Sequence, residues 1–361
     1  MNIQAATRRY EAWLRRSASQ VVPSQIRDKH ERMREDPFVF LRGTFYRWAQ
    51  LWTSVVGQVA KAPTVLAVGD LHVESFGTWR DIEGRLCWGV DDFDDAYPLP
   101  YTNDLVRLAT SLKIASDVGM CSITLRDGCD SQLDRYGATL RQGGDPFVLA
   151  EGQDHMDRLG ISELDPPDDF WEKLNHLPGV RRPPPAAASR ALRYTLPDVR
   201  MPYKVVRREA GTGSLGQIRY VAIGKWEGGC IAREAKTFVP SACAWAAGHR
   251  GHGQPYYARS LQSAIRAPDP FHCVVGSWLV RRLSPDSTPI LIADLPAERD
   301  EGVLLGAMGA EAANIHLGTP RQTRRILSDL RRRPANWLRQ SAKAMAKVVE
   351  REWKEYRTTG R

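Results

Sequence analysis

No run in this chain approaches the roughly 18 consecutive apolar residues of a membrane span. The opening stretch MNIQAATRRYEAWLRRS is polar where a secretory leader would carry an apolar core. The expectation is a cytoplasmic protein, neither exported nor inserted. Cysteine is sparse. Cys87, Cys121, Cys129, Cys230, Cys243 and Cys273 are dispersed without a CxxC pair, which argues for buried reduced thiols and against a disulfide framework or zinc knuckle. The histidines form no HExxH pattern, and no internal repeat or Gly-Lys-Ser/Thr phosphate loop is present. What remains is 361 residues, 42% of them hydrophobic, enough to bury a substantial core in two closely packed lobes.

The most informative stretch is Gly69 to Asp95, GDLHVESFGTWRDIEGRLCWGVDDFDD. Thr64 to Val68 is a short apolar run of strand type that Gly69 stops, delivering Asp70 and His72 into a loop. Phe76 to Trp79 reads as a strand, Asp81-Ile82-Glu83-Gly84 as a turn and Arg85 to Val90 as the returning strand. Asp91, Asp92, Asp94 and Asp95 follow around a single Phe. Carboxylates that close repel unless a cation shares them, and the run suits Mg²⁺, which takes a few carboxylates plus phosphate oxygens. A solvated acidic loop is the plainer alternative, but it leaves the preceding Gly-Asp-Leu-His unexplained.

A second signal is GTGSLG at Gly211 to Gly216, holding Gly211, Thr212, Gly213, Ser214 and Gly216. The alternating segment Gln217 to Ile223 follows it, so the loop joins two strands and does not open the helix that a dinucleotide fingerprint needs. Its backbone amides could lie over phosphates, although a plain surface hairpin has the same pattern. Cys230 to Lys236 then reads as a strand ending in cations. Arg233 and Lys236 fall on opposite faces of it, so only one is expected to reach a nucleotide.

These motifs resemble the protein-kinase-like and aminoglycoside-phosphotransferase superfamily, with its HGDxHxxN catalytic loop and DFG or DFDDA metal loop. The resemblance puts Asp70 on the catalytic aspartate and Asp92 on the metal-binding one, with Asp94 assisting. It makes Asn103 to Ala109 the helix downstream, and it gives the strand of Arg233 and Lys236 the phosphate-binding cation. His72 is expected to brace the catalytic loop. Two departures stand out. Ser75 occupies the place of the asparagine that holds a second metal, where its hydroxyl could ligate Mg²⁺. The segment Ser241 to Ala247 offers no glutamate for the cation, so either Glu234 or Asp269 substitutes, or the cation is oriented differently, or nucleotide is bound without turnover. The catalytic loop also precedes the glycine loop by about 140 residues, the reverse of the superfamily order. The resemblance therefore implies an α+β, two-lobed, circularly permuted protein-kinase-like fold, with Phe271 to Leu283 an apolar strand entering a hinge and Gly302 to His316 the helix before the catalytic loop. With Arg32 to Gly43, RMREDPFVFLRG, the chain closely resembles the bacterial domain-of-unknown-function family 2252.

The expected organisation is 1–176 for N-terminal helices and the catalytic and metal loops, 177–200 for a Pro-rich linker and helix, 201–290 for a small β-rich nucleotide lobe, and 291–361 for C-terminal helices. Residues 3 to 60 and 103 to about 160 read as helical, with Phe38, Phe40, Leu41, Phe45 and Trp48 as a core stripe. From Thr319 onward 13 Lys and Arg face 4 Asp and Glu, which accounts for the whole net charge of +9. Leu338, Met345, Val348, Val349 and Trp353 make this tail an amphipathic helix, either docked with a solvated basic face or open to an anionic partner. The functional expectation is an ATP- and Mg²⁺-dependent phosphotransferase acting on a small-molecule or protein hydroxyl. A nucleotidyl transferase, a pseudokinase without turnover and a basic-tailed nucleic-acid binder are the alternatives.

Overall fold

The computed structural model describes every residue except 18–20, 150–165, 212, 214–215, 250–255, 295–297 and 359–361. The N-terminal segment is helical, as its periodicity predicts: α1 (Ile3–Ser17), α2 (Pro23–Glu35), α3 (Pro37–Gly43) and α4 (Phe45–Val56). Asp36 separates α2 from α3. Its carboxylate accepts from the amides of Phe38 at 2.6 Å and Val39 at 3.1 Å, and Pro37 stands at the first helical position, where a missing N–H costs nothing. The expected stripe of Phe38, Phe40, Leu41, Phe45 and Trp48 is buried.

Strand β1 (Thr64–Ala67) pairs antiparallel with β4 (Tyr97–Pro100). Between them β2 (Phe76–Arg80) and β3 (Leu86–Val90) form the expected hairpin, and β5 (Phe147–Val148) adds a third strand beside β3. The Asp81 carboxylate closes the turn by accepting from the amides of Glu83 and Arg85. Helices α5 (Thr102–Asp117) and α6 (Leu125–Gln142) follow.

The next elements are α7 (Pro167–Asn175), α8 (Ala186–Tyr194), β6 (Tyr203–Arg207), β7 (Arg219–Trp226), β8 (Gly229–Thr237), α9 (Ala242–Ala246), α10 (Tyr256–Ser263), β9 (Cys273–Val275) and β10 (Trp278–Leu283). The strands form an antiparallel sheet in the order β6-β7-β8-β10-β9. One sheet face buries Tyr220, Ala222, Ala235 and Val280 against α8. The other buries Val221, Ile223, Ala232 and Leu283 against Phe170, Trp171 and Leu174 of α7. Helix α7 therefore packs with this sheet, although it lies before the boundary at 176 that the prolines suggest. The proline segment is itself fastened to the sheet edge, where Pro178 O accepts from the Arg207 amide at 2.9 Å. The expected single strand over 271–283 is instead a hairpin, because Gly276 takes a φ of +60° and turns the chain back.

Helices α11 (Glu298–Leu317), α12 (Thr323–Arg332) and α13 (Trp337–Thr358) complete the chain. The α13 tail is docked: Leu338, Ala342 and Met345 lie in the main core with Leu105, Leu112 and Leu305. The architecture is mixed α+β, and among the described residues no helix is long and apolar enough to cross a membrane. All six cysteines are free. Helices α6 and α11 meet at glycine, where a Cβ on Gly309 would collide with the carbonyl of Gln132. Gly309→Val should therefore lower stability by about 1–3 kcal/mol, the usual cost of overpacking. Urea denaturation checks this, and an unchanged midpoint would show that the two helices can part at no cost.

Candidate functional site

The loop after β1 is gripped from below. The Asp104 carboxylate accepts from the amides of Val68 at 2.7 Å and Gly69 at 3.0 Å, and His316 Nε2 lies 3.0 Å away. Tyr136 Oη in turn meets His316 Nδ1 at 2.8 Å. Asn103 Nδ2 donates to Gly69 O at 2.9 Å and is itself positioned by Trp48 Nε1. Gly69 has a φ of +86°, and a side chain there would run into the carbonyl of Asp95. The loop thus brings the 70s and the 90s into contact.

Asp70 projects from this loop with its Oδ1 accepting from Arg107 Nε at 2.9 Å and Nη2 at 2.6 Å. Arg107 is fixed by the carbonyl of Leu41 and by the rings of Phe45 and Trp48, at 5.4 and 4.7 Å. Burial pushes the Asp70 carboxyl upward against the pull of Arg107. His72 Nδ1 accepts from the Glu74 amide at 3.2 Å. Burial, with the charges of Arg42 and Arg107, holds this ring well below its ordinary value, so it is a neutral brace. Ser75 Oγ accepts from His72 N and donates to Asp70 O, and its residue is 2% exposed. The hydroxyl closes its own turn, so the structure does not bring Ser75 to Asp92 and Asp94 as a shared ligand set.

The acidic run forms the opposite wall. Asp92 Oδ1 accepts from the Asp94 amide at 3.0 Å, Asp94 pairs with Lys236, and Asp95 Oδ1 accepts from the Ala242 amide at 2.6 Å. Burial, with the neighbouring Asp92, raises Asp94. Burial and the charge of Asp70 push Asp95 up to about 8. Burial would raise Asp92 too, but Lys236 and the Asp94 amide outweigh it and hold this carboxyl low. Among the described residues no three His, Cys, Asp or Glu side chains converge on a metal position. Asp92 and Asp94 are the neighbouring carboxylates of this wall, and Asp94 is already paired with Lys236.

Of the glycine loop, Gly211, Gly213 and Gly216 are described, whereas Thr212 and Ser214 lie outside the described residues. The loop joins β6 to β7 and is fastened to α2. Lys29 Nζ donates to Gly213 O at 2.9 Å, Gln25 Oε1 accepts from Gly216 N at 3.2 Å, and Val22 N donates to Gly216 O. Gly211 and Gly213 share with Asp70, His72, Asp92, Asp94 and Asp95 the lining of one cavity of about 80 Å³. Lys236 reaches this wall through Asp94. Arg233, on the other face of β8, donates to Thr195 O at 3.0 Å and stacks over Phe271 at 3.9 Å. Lys236 is thus the cation brought to the site. Its partner is neither proposed substitute: Glu234 is held by Arg208, Arg219 and Arg281, and Asp269 lies beside Arg282.

Arg107 and Lys29 join the site without having been assigned a role from the sequence, where Asp95 was read as one member of the acidic run. Arg107 carried a signal, a charge inside the otherwise apolar run Leu105 to Ala109. Lys29 carried none, since its place depends on how α2 crosses the loop.

These findings define a mixed α+β protein with a partly exposed acidic cleft between an antiparallel sheet and a helical body. Residues 20–166 match the model of a bacterial family described as "Uncharacterized protein conserved in bacteria (DUF2252)", which supports the resemblance over that part of the chain. No curated protein and no solved structure matches.

Behind β3, Glu311 accepts from Val90 N at 3.3 Å and Asn314 Nδ2 at 3.1 Å, and burial pushes its carboxyl up to about 7 against the pull of Arg266. A carboxyl raised on folding stabilises fully below its unfolded value of 4.5 and loses that contribution as pH climbs through about 7. The loss is on the order of 3 kcal/mol. Glu311→Gln should therefore flatten the fall of melting temperature over that window. An unaltered pH profile would mean that Glu311 titrates normally.

Proposed function

We propose that this chain is a Mg²⁺- and ATP-dependent phosphotransferase of permuted protein-kinase-like architecture, acting on a hydroxyl-bearing acceptor. The observation that carries this reading is convergence: Asp70, Asp92, Asp94 and the glycine loop line one cleft, and Lys236 reaches it from β8. Residues more than 100 positions apart are assembled as phosphoryl transfer requires.

In this reading Asp70 orients the acceptor hydroxyl and accepts its proton. Arg107 contacts Oδ1 alone, so Oδ2 is the atom left for the acceptor. Burial raises the Asp70 carboxyl and improves it as a base. Asp92 and Asp94 would hold Mg²⁺, which when bound neutralises phosphate charge. Lys236 would exchange its carboxylate partner for phosphate, and the backbone at Gly211 and Gly213 would cover the triphosphate. Positioning and fixed charge supply nearly all of the catalysis in such chemistry.

Calorimetry should detect tighter ATP binding with Mg²⁺ than in EDTA, because the bare acidic wall repels the triphosphate. Lys236→Ala should weaken that binding roughly tenfold or more, the loss of one charge-assisted contact, with Arg233→Ala close to wild type. Equal binding in EDTA would remove the metal role of Asp92. Asp70→Asn should retain binding and lose turnover by roughly 10²- to 10⁴-fold.

A second reading, a nucleotide-binding pseudokinase, draws on the Ser75 hydroxyl, consumed within its own loop, and on the direct pairing of Lys236 with Asp94. Nucleotide bound and never consumed, across a broad panel of hydroxylated metabolites and proteins, would select it.

A further inference from the structure

A second cavity, of about 230 Å³, shares the Gly211 wall with the first and is lined by Arg208, Arg266, Arg281 and Arg282. The carboxylates around it are largely committed. Glu74 pairs with Arg42, and Glu234 is shared by Arg208, Arg219 and Arg281. Asp91 and Asp269 each stand 3.8 Å from a guanidinium, beyond hydrogen-bonding distance. The Nε atoms of Arg266 and Arg282 are buried with no hydrogen-bond partner. Arg208, Arg281 and Arg282 still reach solvent and Arg282 Nη2 donates to Arg80 O, whereas a buried guanidinium edge without an acceptor is unfavourable unless an anion joins it.

The frame of this cavity is rigid. Thr78 N donates to Thr288 O at 2.9 Å, Thr78 Oγ1 donates to Asp286 O at 2.7 Å, and Arg80 Nε pairs with Asp286 at 2.8 Å. Trp79 is pinned by Ala267 O at 2.9 Å and carries the Arg266 guanidinium 4.4 Å over its ring. Arg266 is thus held over Trp79, Arg282 by Arg80 O and Arg208 by Glu234. Forked guanidinium donors match phosphate oxygens.

We propose that this arginine-lined cavity is a binding site for the phosphate or pyrophosphate group of a small molecule, with Arg282 and Arg208 as its principal donors. Anion binding there needs no metal. Its occupant is either the nucleotide's own phosphates or a phosphorylated acceptor.

The test is calorimetric titration of the full-length protein with pyrophosphate in EDTA at low salt. Arg282→Gln and Arg208→Gln should each weaken binding roughly tenfold to a hundredfold, the loss of a charge-assisted contact. Arg282→Lys should recover part of it. Arg325→Gln, which removes the same charge from the remote helix α12, should change nothing. Circular dichroism verifies folding, and if Arg282→Gln unfolds, Arg208→Gln carries the comparison. No binding at millimolar pyrophosphate, or equal weakening by Arg325→Gln and the cavity variants, would overturn the proposal. Competition between Mg²⁺-ATP and pyrophosphate would assign the cavity to the nucleotide, and simultaneous binding would assign it to the acceptor. Pyrophosphate bound with ATP refused would sink the phosphotransferase reading alone.

Discussion

The site rests on one buried carboxylate. Asp104 is fully enclosed, and an enclosed charge is tolerated only when its oxygens are satisfied. It finds the amides of Val68 and Gly69, the side chain of Asn103 and the imidazole of His316. These groups come from the end of β1, the first turn of α5 and the last turn of α11. Holding them to one carboxylate fixes the direction in which the chain leaves β1, and so where Asp70 points. Hydrophobic packing alone has no comparable directionality.

Around that anchor the chain gathers Asp70, Asp92, Asp94 and Asp95 on one cavity, with Lys29 and Arg42 also on its wall. Asp91 and Asp95 are pushed up by burial to about 6 and about 8, while Arg107 and Lys236 each serve one carboxylate directly. Such crowding is an electrostatic cost to the folded state, relieved when a cation enters. Across Gly211 the second cavity is lined by four arginines interleaved with Glu74, Asp91 and Asp269.

The N-terminal helices belong to this site as much as the loops do. Lys29 and Gln25 of α2 hold the glycine loop, Arg42 of α3 holds Glu74, and Leu41 O fixes Arg107. Burial pushes Lys29 down to about 8 against the pull of Glu11. Movement of α2 would alter both cavities.

Local chemistry made much of this readable from the sequence. The alternation of Phe76 to Val90 around Asp81 and Gly84 specifies a hairpin, because strand period and turn residues act over a few positions. The same holds for the hairpin that carries GTGSLG, for the helical stripe from Phe38 to Trp48, and for the clustering of Asp70 with the acidic run. Opposite facing of Arg233 and Lys236 also follows from the strand period. Which of them faces the acidic wall does not, since that depends on α8 covering one face of the sheet and the acidic run approaching the other. Ser75 could be read as a ligand by position, yet its hydroxyl is drawn into its own turn. Gly276 divides a run that reads as one strand, and α7 crosses to a sheet far along the chain. Asp104, Arg107, Lys29 and the arginine cavity acquire meaning only from partners distant in sequence. A carboxylate or guanidinium takes its role from whatever charge and dielectric surround it, and tertiary packing alone sets those surroundings.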